Sequence, residues 1–205
     1  MKVKICGLTK AEHVKTCVEY GSDYCGFILN YSKSHRFIDF EKAKELTNID
    51  KKSTKYVGVL VNPKNEELEK FSTLNVDYFQ IYGNYSSEYI KNIKSKFGKK
   101  IIMTIQIKNE KDIFNYKKFE NSADIILWDS SGLEQSLGWN YDWIKSVSGN
   151  VTKMIAGNIN IDKLEKVFNL ADIVDVSGAL ETNKVKDIYK IKEFLSKINK
   201  INNEN

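Results

Sequence analysis

Eight short apolar runs constrain the fold of this chain more than any other feature. Each run is followed by a charged stretch whose apolar residues have helical spacing, such as Leu68, Phe71 and Leu74. The runs are too short for helices and too apolar for strands exposed on one face, so they predict buried parallel strands. They comprise residues 3–6, 24–29, 56–62, 76–81, 101–106, 125–129, 152–156 and 173–177.

This alternation of strand and helix predicts a (β/α)8 TIM barrel, a single domain over residues 1–205. Eight units in 205 residues average about 26 residues each, the low end for this fold. A doubly wound open sheet is the alternative, but it usually has fewer strands. No G-x-G-x-x-G pattern follows the first run, which also favours the barrel. The last residues, from Ile198 to Asn205, are mostly polar and predict a frayed tail.

Cysteine and histidine usage argues against a metal or disulfide framework. The three cysteines, Cys6, Cys17 and Cys25, form no C-x-x-C pair, and an odd number does not suit a disulfide scaffold. Two histidines are too few for a histidine-based metal site. We therefore expect no metal ion.

Charge and hydropathy indicate which kinds of partner the protein binds and in which cellular compartment it is expected. No run of 18 apolar residues is present, and residues 1–7 contain no apolar signal region, so we expect a cytoplasmic protein that does not span a membrane. The net charge of +5 comes from scattered lysines, with no basic block interleaved with aromatic residues. We expect no nucleic-acid partner, and the positive surplus suits a small anionic substrate.

Ionisable residues end several of the apolar runs. Cys6, Asp129 and Asp175 lie at the ends of the first, sixth and eighth runs, and Gln80 and Tyr82 bracket the end of the fourth. In a (β/α)8 barrel the carboxyl ends of the strands carry the chemistry. A thiol and two acids that are partly desolvated on one rim indicate catalysis. The alternatives are a small buried hydrophobic residue for Cys6 and a turn cap for Asp129.

Small residues follow the last two runs and suggest a phosphate site. Gly157 and Asn158 follow the seventh run, and Ser177 and Gly178 end the eighth. Small side chains let backbone N–H groups approach an anion, and these two loops frequently bind phosphate in this fold. Each glycine alone could equally serve a tight turn, but the pair of loops favours phosphate.

Arg36 is the only arginine among 32 basic residues. Its planar guanidinium can bind a carboxylate or a phosphate with two parallel hydrogen bonds, whereas the ammonium group of lysine cannot. It lies in a polar stretch directly after the second run, where a ligand-binding residue would be expected. A surface arginine without a role is the alternative.

Several segments, in chain order, resemble the phosphoribosylanthranilate isomerase family. The opening Lys-Ile-Cys-Gly-Leu-Thr at residues 4–9 is the most specific, and the similarity extends along essentially the whole chain. The other similar segments are residues 26–27, 32–38, 57–62, 79–83, 126–129, 140–143 and 174–181, with Lys186 and Asp187.

The resemblance implies an enzyme of tryptophan biosynthesis that needs no cofactor. Its reaction is the Amadori rearrangement of N-(5-phosphoribosyl)anthranilate to 1-(2-carboxyphenylamino)-1-deoxyribulose 5-phosphate. The family assigns Cys6 as general base and Asp129 as general acid. A neutral carboxylic acid can protonate the sugar ring oxygen, and a thiolate can then remove the proton on the neighbouring carbon. A modest fall from the free thiol pKa of about 8.5, helped by Lys4, is expected to suffice.

The resemblance also implies how the phosphosugar substrate is bound. Arg36 is expected to bind the anthranilate carboxylate, and the two small-residue loops are expected to bind the phosphate. Asp175 and Gln80 are further expected substrate-binding residues. The chain is expected to act as a monomer or a homodimer.

The chain departs from the family pattern at several positions. Residues 135–138 read Gln-Ser-Leu-Gly where the family has a glycine-rich loop, Tyr82 replaces a histidine, and Asn158 replaces a glycine. The proposed acid, base and arginine are all retained. The related histidine-pathway isomerase would carry a carboxylate at the position of Cys6. A non-catalytic or differently specific phosphosugar-binding barrel remains the alternative.

Overall fold

The eight apolar runs form eight parallel strands that close into a barrel in chain order, as predicted. The computed structural model describes residues 1–130 and 137–204. Each strand begins and ends within two residues of its predicted run. The strands are β1 Lys2–Cys6, β2 Tyr24–Ile28, β3 Lys55–Val61, β4 Tyr78–Tyr82, β5 Lys100–Ile107, β6 Ile125–Ser130, β7 Lys153–Ile155 and β8 Ile173–Val176.

Helices connect most of the strands on the outside of the barrel. They are α1 Ala11–Glu19, α2 Phe40–Thr47, α3 Asn65–Ser72, α4 Ser87–Phe97, α5 Leu164–Val167 and α6 Ile188–Glu204. In the two described parts of the chain, no helix is long and apolar enough to cross a membrane.

The connections after β5, β6 and β7 contain 3₁₀ helices, which the sequence pattern did not predict. They span Glu110–Lys118, Tyr141–Ser146 and Ile161–Lys163. In the first of them the buried residues are Ile113 and Tyr116. Their spacing of three matches the three-residue turn of a 3₁₀ helix, in which such side chains lie on one face.

The predicted frayed tail is wrong as far as residue 204. Helix α6 continues to Glu204, and the side chains of Ile198 and Ile201 are buried. The side chain of Asn202 accepts a hydrogen bond from the amino group of Met1 at 2.7 Å and donates one to its carbonyl oxygen at 3.0 Å. The helix continues because its apolar positions repeat at helical spacing to the end.

Two apolar cores lie on either side of the strands. The outward-facing side chains, such as Ile5, Phe27 and Trp128, pack with the helices in the larger core. Inside the barrel a smaller core includes Tyr24 and Tyr78, whose rings meet edge to face. These tyrosines lie at the amino ends of β2 and β4, so this core lies toward the amino end of the barrel, away from the ends at which Cys6 and Asp129 lie.

A small β-hairpin follows β8. A 3₁₀ turn at Gly178–Leu180 leads into β9 Glu181–Thr182, which pairs with the antiparallel strand β10 Val185–Lys186. The two connecting residues, Asn183 and Lys184, have φ of 52° and 62°, as a type I′ hairpin turn requires. The hairpin places Glu181 directly opposite Lys186.

Candidate active site

A cavity of about 430 Å³ opens at the carboxyl end of the barrel. Its volume is in the range of small-molecule sites. Eight of the nine predicted site residues line it, which places both ends of the chain around one space. These residues are Cys6, Arg36, Asp129, Gly157, Asn158, Asp175, Ser177 and Gly178.

A buried ion pair lies beneath the cavity. Lys4 Nζ is 2.8 Å from Asp175 Oδ2, and the lysine is fully buried. Burial alone would lower the pKa of Lys4, but the charges of Asp175 and Cys6 outweigh it and raise that pKa to about 12. Burial raises the pKa of Asp175, and the nearby Lys4 opposes this. Lys4 is therefore a fixed positive charge below the thiol.

Cys6 ends β1, where its side chain is mostly buried beside Lys4. A methyl group at Gly26 on the adjacent strand would lie 3.0 Å from Cys6 Sγ and 3.1 Å from Lys4 Nζ, so this glycine makes room for both groups. Burial raises the pKa of the Cys6 thiol, and Lys4 only partly offsets that effect. The expectation of a lowered thiol pKa is therefore wrong, because desolvation outweighs the lysine charge.

Two donors fix the carboxyl group of Asp129, near the end of β6. The hydroxyl of Tyr82 donates to Asp129 Oδ2 at 2.8 Å, and the backbone N–H of Ser130 donates to Oδ1 at 2.7 Å. Burial raises the pKa of Asp129 to about 6, although the Tyr82 hydrogen bond lowers it. A carboxyl with this pKa holds a proton in part of the population at neutral pH, as a general acid must.

Gln80 does not line the cavity, so the prediction that it contacts substrate is not supported. Its side chain is fully buried, and its amide donates to the hydroxyl of Tyr82 at 3.2 Å. Gln80 lies two residues before Tyr82 on the inner face of β4, one layer deeper in the barrel. Its contact with the site runs through Tyr82 and on to Asp129.

Arg36 is buried and makes a bidentate contact with Glu181 of the hairpin. Its Nε donates to Glu181 Oε1 at 2.6 Å, and its Nη2 donates to Oε2 at 3.1 Å. Lys186 binds the same carboxylate from the opposite strand of the hairpin. Burial would raise the pKa of Glu181, but its two basic partners lower it to about 2. Arg36 and Lys186 thus share the carboxylate of Glu181.

Gly7 provides the space in which the Arg36 side chain lies. Its φ is +78°, a conformation that glycine adopts readily, and a methyl group there would lie 2.4 Å from Arg36 Cδ. The backbone N–H of Arg36 also donates to Ser34 Oγ at 3.1 Å. The family-like segment after Cys6 therefore shapes the arginine site as well as the thiol site.

The two loops predicted to bind phosphate face the same cavity. Gly157 has φ of +97° and Asn158 has φ of +55°, so asparagine keeps the left-handed turn in place of a second glycine. Trp139 Nε1 donates to the carbonyl of Ala156 at 2.8 Å, and the hydroxyl of Tyr141 donates to the carbonyl of Gly157. These contacts anchor the loop from its outer side.

The other loop is tied to β1. Ser177 Oγ donates to the carbonyl of Cys6 at 3.0 Å, and Lys186 Nζ lies 3.4 Å from the same hydroxyl. Residues 135–138 were noted above as a departure from the family pattern, and residues 135 and 136 lie outside the described residues. Gly138 is described and lies near the side chain of Asn158.

Several residues that line the cavity were not predicted from the sequence. Ile28, Val59 and Val61 form an apolar wall with Tyr31, which is suited to an aromatic ring. Alternation along β3 is a signal that could have identified the valines, because every second residue faces inward. No pattern in the sequence around Glu181 and Lys186 predicts that Glu181 contacts Arg36.

Known proteins are similar to this chain over nearly its whole length. A protein-family model described as N-(5′-phosphoribosyl)anthranilate (PRA) isomerase matches residues 3–197. The N-(5′-phosphoribosyl)anthranilate isomerase of Thermoanaerobacter pseudethanolicus is 33% identical over 203 residues, which is 97% of this chain and 98% of the relative.

Solved structures of similar proteins share the fold. One, described as monomers generated from the dimeric phosphoribosylanthranilate isomerase of Thermotoga maritima, has a TM-score of 0.81 at 26% identity, covering 98% of this chain and 99% of the other. Another phosphoribosylanthranilate isomerase, in complex with reduced 1-(o-carboxyphenylamino)-1-deoxyribulose 5-phosphate, has a TM-score of 0.80 at 26% identity with the same coverage.

Proposed function

The chain belongs to the N-(5′-phosphoribosyl)anthranilate isomerase family, and we propose that Cys6 is the general base and Asp129 the general acid of its isomerisation. The reaction is a step of tryptophan biosynthesis. The observation that carries the proposal is the shared cavity, into which a thiol and a carboxyl with a raised pKa both face. The rearrangement consists of ring opening and proton transfers, and substrate and product are isomers, so no atom or electron is gained or lost overall.

Asp129 acts first. Its carboxylic proton passes to the ring oxygen of the ribose as the bond between that oxygen and C1 breaks. The lone pair of the anthranilate nitrogen forms the C1=N bond, which leaves an iminium ion and an ionised Asp129. The hydrogen bonds from Tyr82 and the Ser130 N–H stabilise the carboxylate that this step produces.

Cys6 acts second. The iminium makes the proton on C2 acidic, and the thiolate of Cys6 removes it as the C1=C2 double bond forms. The resulting enolamine then becomes the ketone at C2 by losing its hydroxyl proton and gaining a proton at C1. The fixed charge of Lys4 beneath the site favours the thiolate.

Two anionic groups of the substrate are assigned to two sets of residues that line the cavity. We assign the anthranilate carboxylate to Arg36, beside the apolar wall that would hold the aromatic ring. The phosphate is assigned to Gly157, Asn158, Ser177 and Gly178. Asp175 also lines the cavity and is assigned to the neighbourhood of the substrate's aromatic amine.

Loss of either catalytic group tests the proposal. Cys6→Ala and Asp129→Asn should each reduce kcat by 10³-fold or more, with circular dichroism and thermal unfolding like those of the unmodified protein. Consumption of fluorescent phosphoribosylanthranilate gives the rate. Cys17→Ala is the matched control, because Cys17 is buried in α1 away from the cavity. An active Cys6→Ala enzyme would sink the assignment of the base.

The remaining expectations are proposed on the same family basis. We propose a cytoplasmic location, which fractionation of cells would test. A monomer or homodimer is proposed for the assembly, and the dimeric description of one similar structure supports the second form. Light scattering after size-exclusion chromatography distinguishes the two.

A further inference from the structure

The hydroxyl of Tyr82 connects a buried amide to the proposed catalytic acid. Gln80 Nε2 donates to the Tyr82 hydroxyl at 3.2 Å, and that hydroxyl donates to Asp129 Oδ2 at 2.8 Å. Because the amide occupies an acceptor position of the phenol oxygen, the phenol proton is directed at the carboxyl. The tyrosine is itself mostly buried among Cys6 and Val59, so its ring has little freedom to move.

We propose that Tyr82 is a positioning residue that holds the Asp129 carboxyl in its reactive orientation, and that Gln80 supports it from below. The inference rests on the proposed role of Asp129 as general acid. The phenol and the Ser130 N–H hold the two different oxygens of the carboxyl, so together they fix its plane. A carboxyl that must deliver a proton to one ring oxygen benefits from such fixation.

The family resemblance places a histidine at this position, and a phenol differs from it in one useful property. An imidazole ordinarily titrates near pH 6.5, close to the pKa of about 6 of Asp129. Burial raises the pKa of Tyr82 well above its usual value, and the charge of Asp129 adds to this effect. Tyr82 therefore remains a hydrogen-bond donor at every pH at which the acid titrates.

Other charged and titratable groups also face Asp129. They are Lys4 and Cys6 on β1, Tyr141 in the 3₁₀ helix after β6, and Asp175 on β8. None of these is altered by removing one hydroxyl at position 82. A change in Asp129 after that removal can therefore be assigned to the lost hydrogen bond.

The test compares three single substitutions. Tyr82→Phe removes the hydroxyl and keeps the ring, and Gln80→Met removes the amide below it. Tyr78→Phe is the matched control, because it removes a hydroxyl from the same face of the same strand at the amino end of the barrel. The titration of Asp129 is followed by NMR of its ¹³C-labelled carboxyl, assigned by the signal lost in Asp129→Asn.

Tyr82→Phe should raise the titration midpoint of Asp129 by about one pH unit, because a donor to the ionised form is lost. Gln80→Met should shift it in the same direction by less, and Tyr78→Phe should not shift it. At pH 5, where the carboxyl is mostly neutral in each variant, Tyr82→Phe should lower kcat about tenfold with KM within twofold.

An unchanged midpoint and an unchanged kcat in Tyr82→Phe would overturn the inference, and so would an equal shift in Tyr78→Phe. Failure of the underlying proposal gives a different result. A fully active Asp129→Asn enzyme would remove the catalytic meaning of the contact, whatever the titration shows.

Discussion

Lys4 Nζ lies 2.8 Å from Asp175 Oδ2 in the barrel interior, across the seam where the first and last strands meet. The lysine is fully buried, and the carboxylate is nearly so. Two such charges are tolerable only together, since either one alone would be an uncompensated charge in a poorly solvated place. The pair therefore connects the stability of the seam with the electrostatics of the site above it.

Removing only the lysine should be costly for folding. Lys4→Met should reduce the free energy of unfolding by about 3–5 kcal/mol, because Asp175 loses its partner. The double variant Lys4→Met with Asp175→Asn should recover part of that loss. Urea denaturation at pH 7 measures both effects, with Lys2→Met as the exposed control on the same strand. A loss for Lys4→Met no larger than that for Lys2→Met would contradict this account.

The pH dependence of kcat/KM should have its acidic break at Asp129. The reactive form has a neutral Asp129 and an ionised Cys6, but the pKa of Asp129, about 6, lies below the raised pKa of Cys6. Below pH 6 the rate rises with the thiolate fraction while the carboxyl stays protonated. Between the two pKa values the thiolate fraction still rises while the fraction of neutral Asp129 falls, so the rate stays constant. Above the thiol pKa the thiolate fraction no longer rises, and the rate falls with the fraction of neutral Asp129.

The two breaks can be assigned separately. The substrate phosphate also titrates near pH 6 and could produce a break in the same range. Asp129→Glu distinguishes the two, because it changes the pKa of the enzyme's acid and leaves that of the substrate phosphate unchanged. The rate of iodoacetamide alkylation of Cys6 reports the thiol, and its midpoint should lie above about 8.5. The fully buried Cys17 and Cys25 serve as unreactive internal references. A thiol midpoint below about 8.5 would contradict the raised pKa of Cys6, and one below the midpoint of Asp129 would disprove the predicted order.

Gly7→Ala should weaken substrate binding more than it weakens folding. The new methyl group would displace Arg36, whose Cδ lies 2.4 Å from its position. Gly21→Ala is the matched control, because its φ of +82° resembles the +78° of Gly7 but nothing lies within 4 Å of the added methyl group. Both variants should lose about 1 kcal/mol of stability from backbone strain, and only Gly7→Ala should raise KM, by roughly tenfold. Equal KM values in the two variants would contradict a role for this close packing.

Arg36→Lys should raise KM about tenfold or more, with kcat changed less than threefold. The ammonium group keeps the charge but cannot reproduce the planar contact with Glu181 and a substrate carboxylate. Glu181→Gln tests the contribution of the contact between Glu181 and Arg36 and should raise KM by a smaller factor. Steady-state kinetics with phosphoribosylanthranilate measures both. If lysine serves as well as arginine, the proposed carboxylate site is elsewhere.

The strands and most of the site could be predicted because their causes are local. A run buried on both faces has a recognisable composition, and the residue that ends a parallel strand is placed at the rim by the fold itself. Cys6 and Asp129 therefore met in one cavity as expected. Asn158 kept its turn because tolerance of positive φ is a property of the residue.

What escaped prediction depends on distances between remote parts of the chain. The contact of Arg36 with Glu181 joins residues 145 positions apart, and no local pattern announces it. The direction of the Cys6 pKa shift depends on whether burial outweighs the charge of Lys4. The depth of Gln80 depends on how far its strand extends into the barrel, which the period of two leaves open.

Contacts between the first and last strand–helix units also determine when activity can appear during synthesis. The hydroxyl of Ser177 reaches the carbonyl of Cys6 across 171 positions of sequence, and Asp175 reaches Lys4 across the same separation. A growing chain halted before β8 would already contain Cys6, Arg36 and Asp129, but not the residues that hold the first two in place. Enzyme activity should therefore arise only once the ribosome has released the last strand, and the time at which activity appears reports when folding is complete.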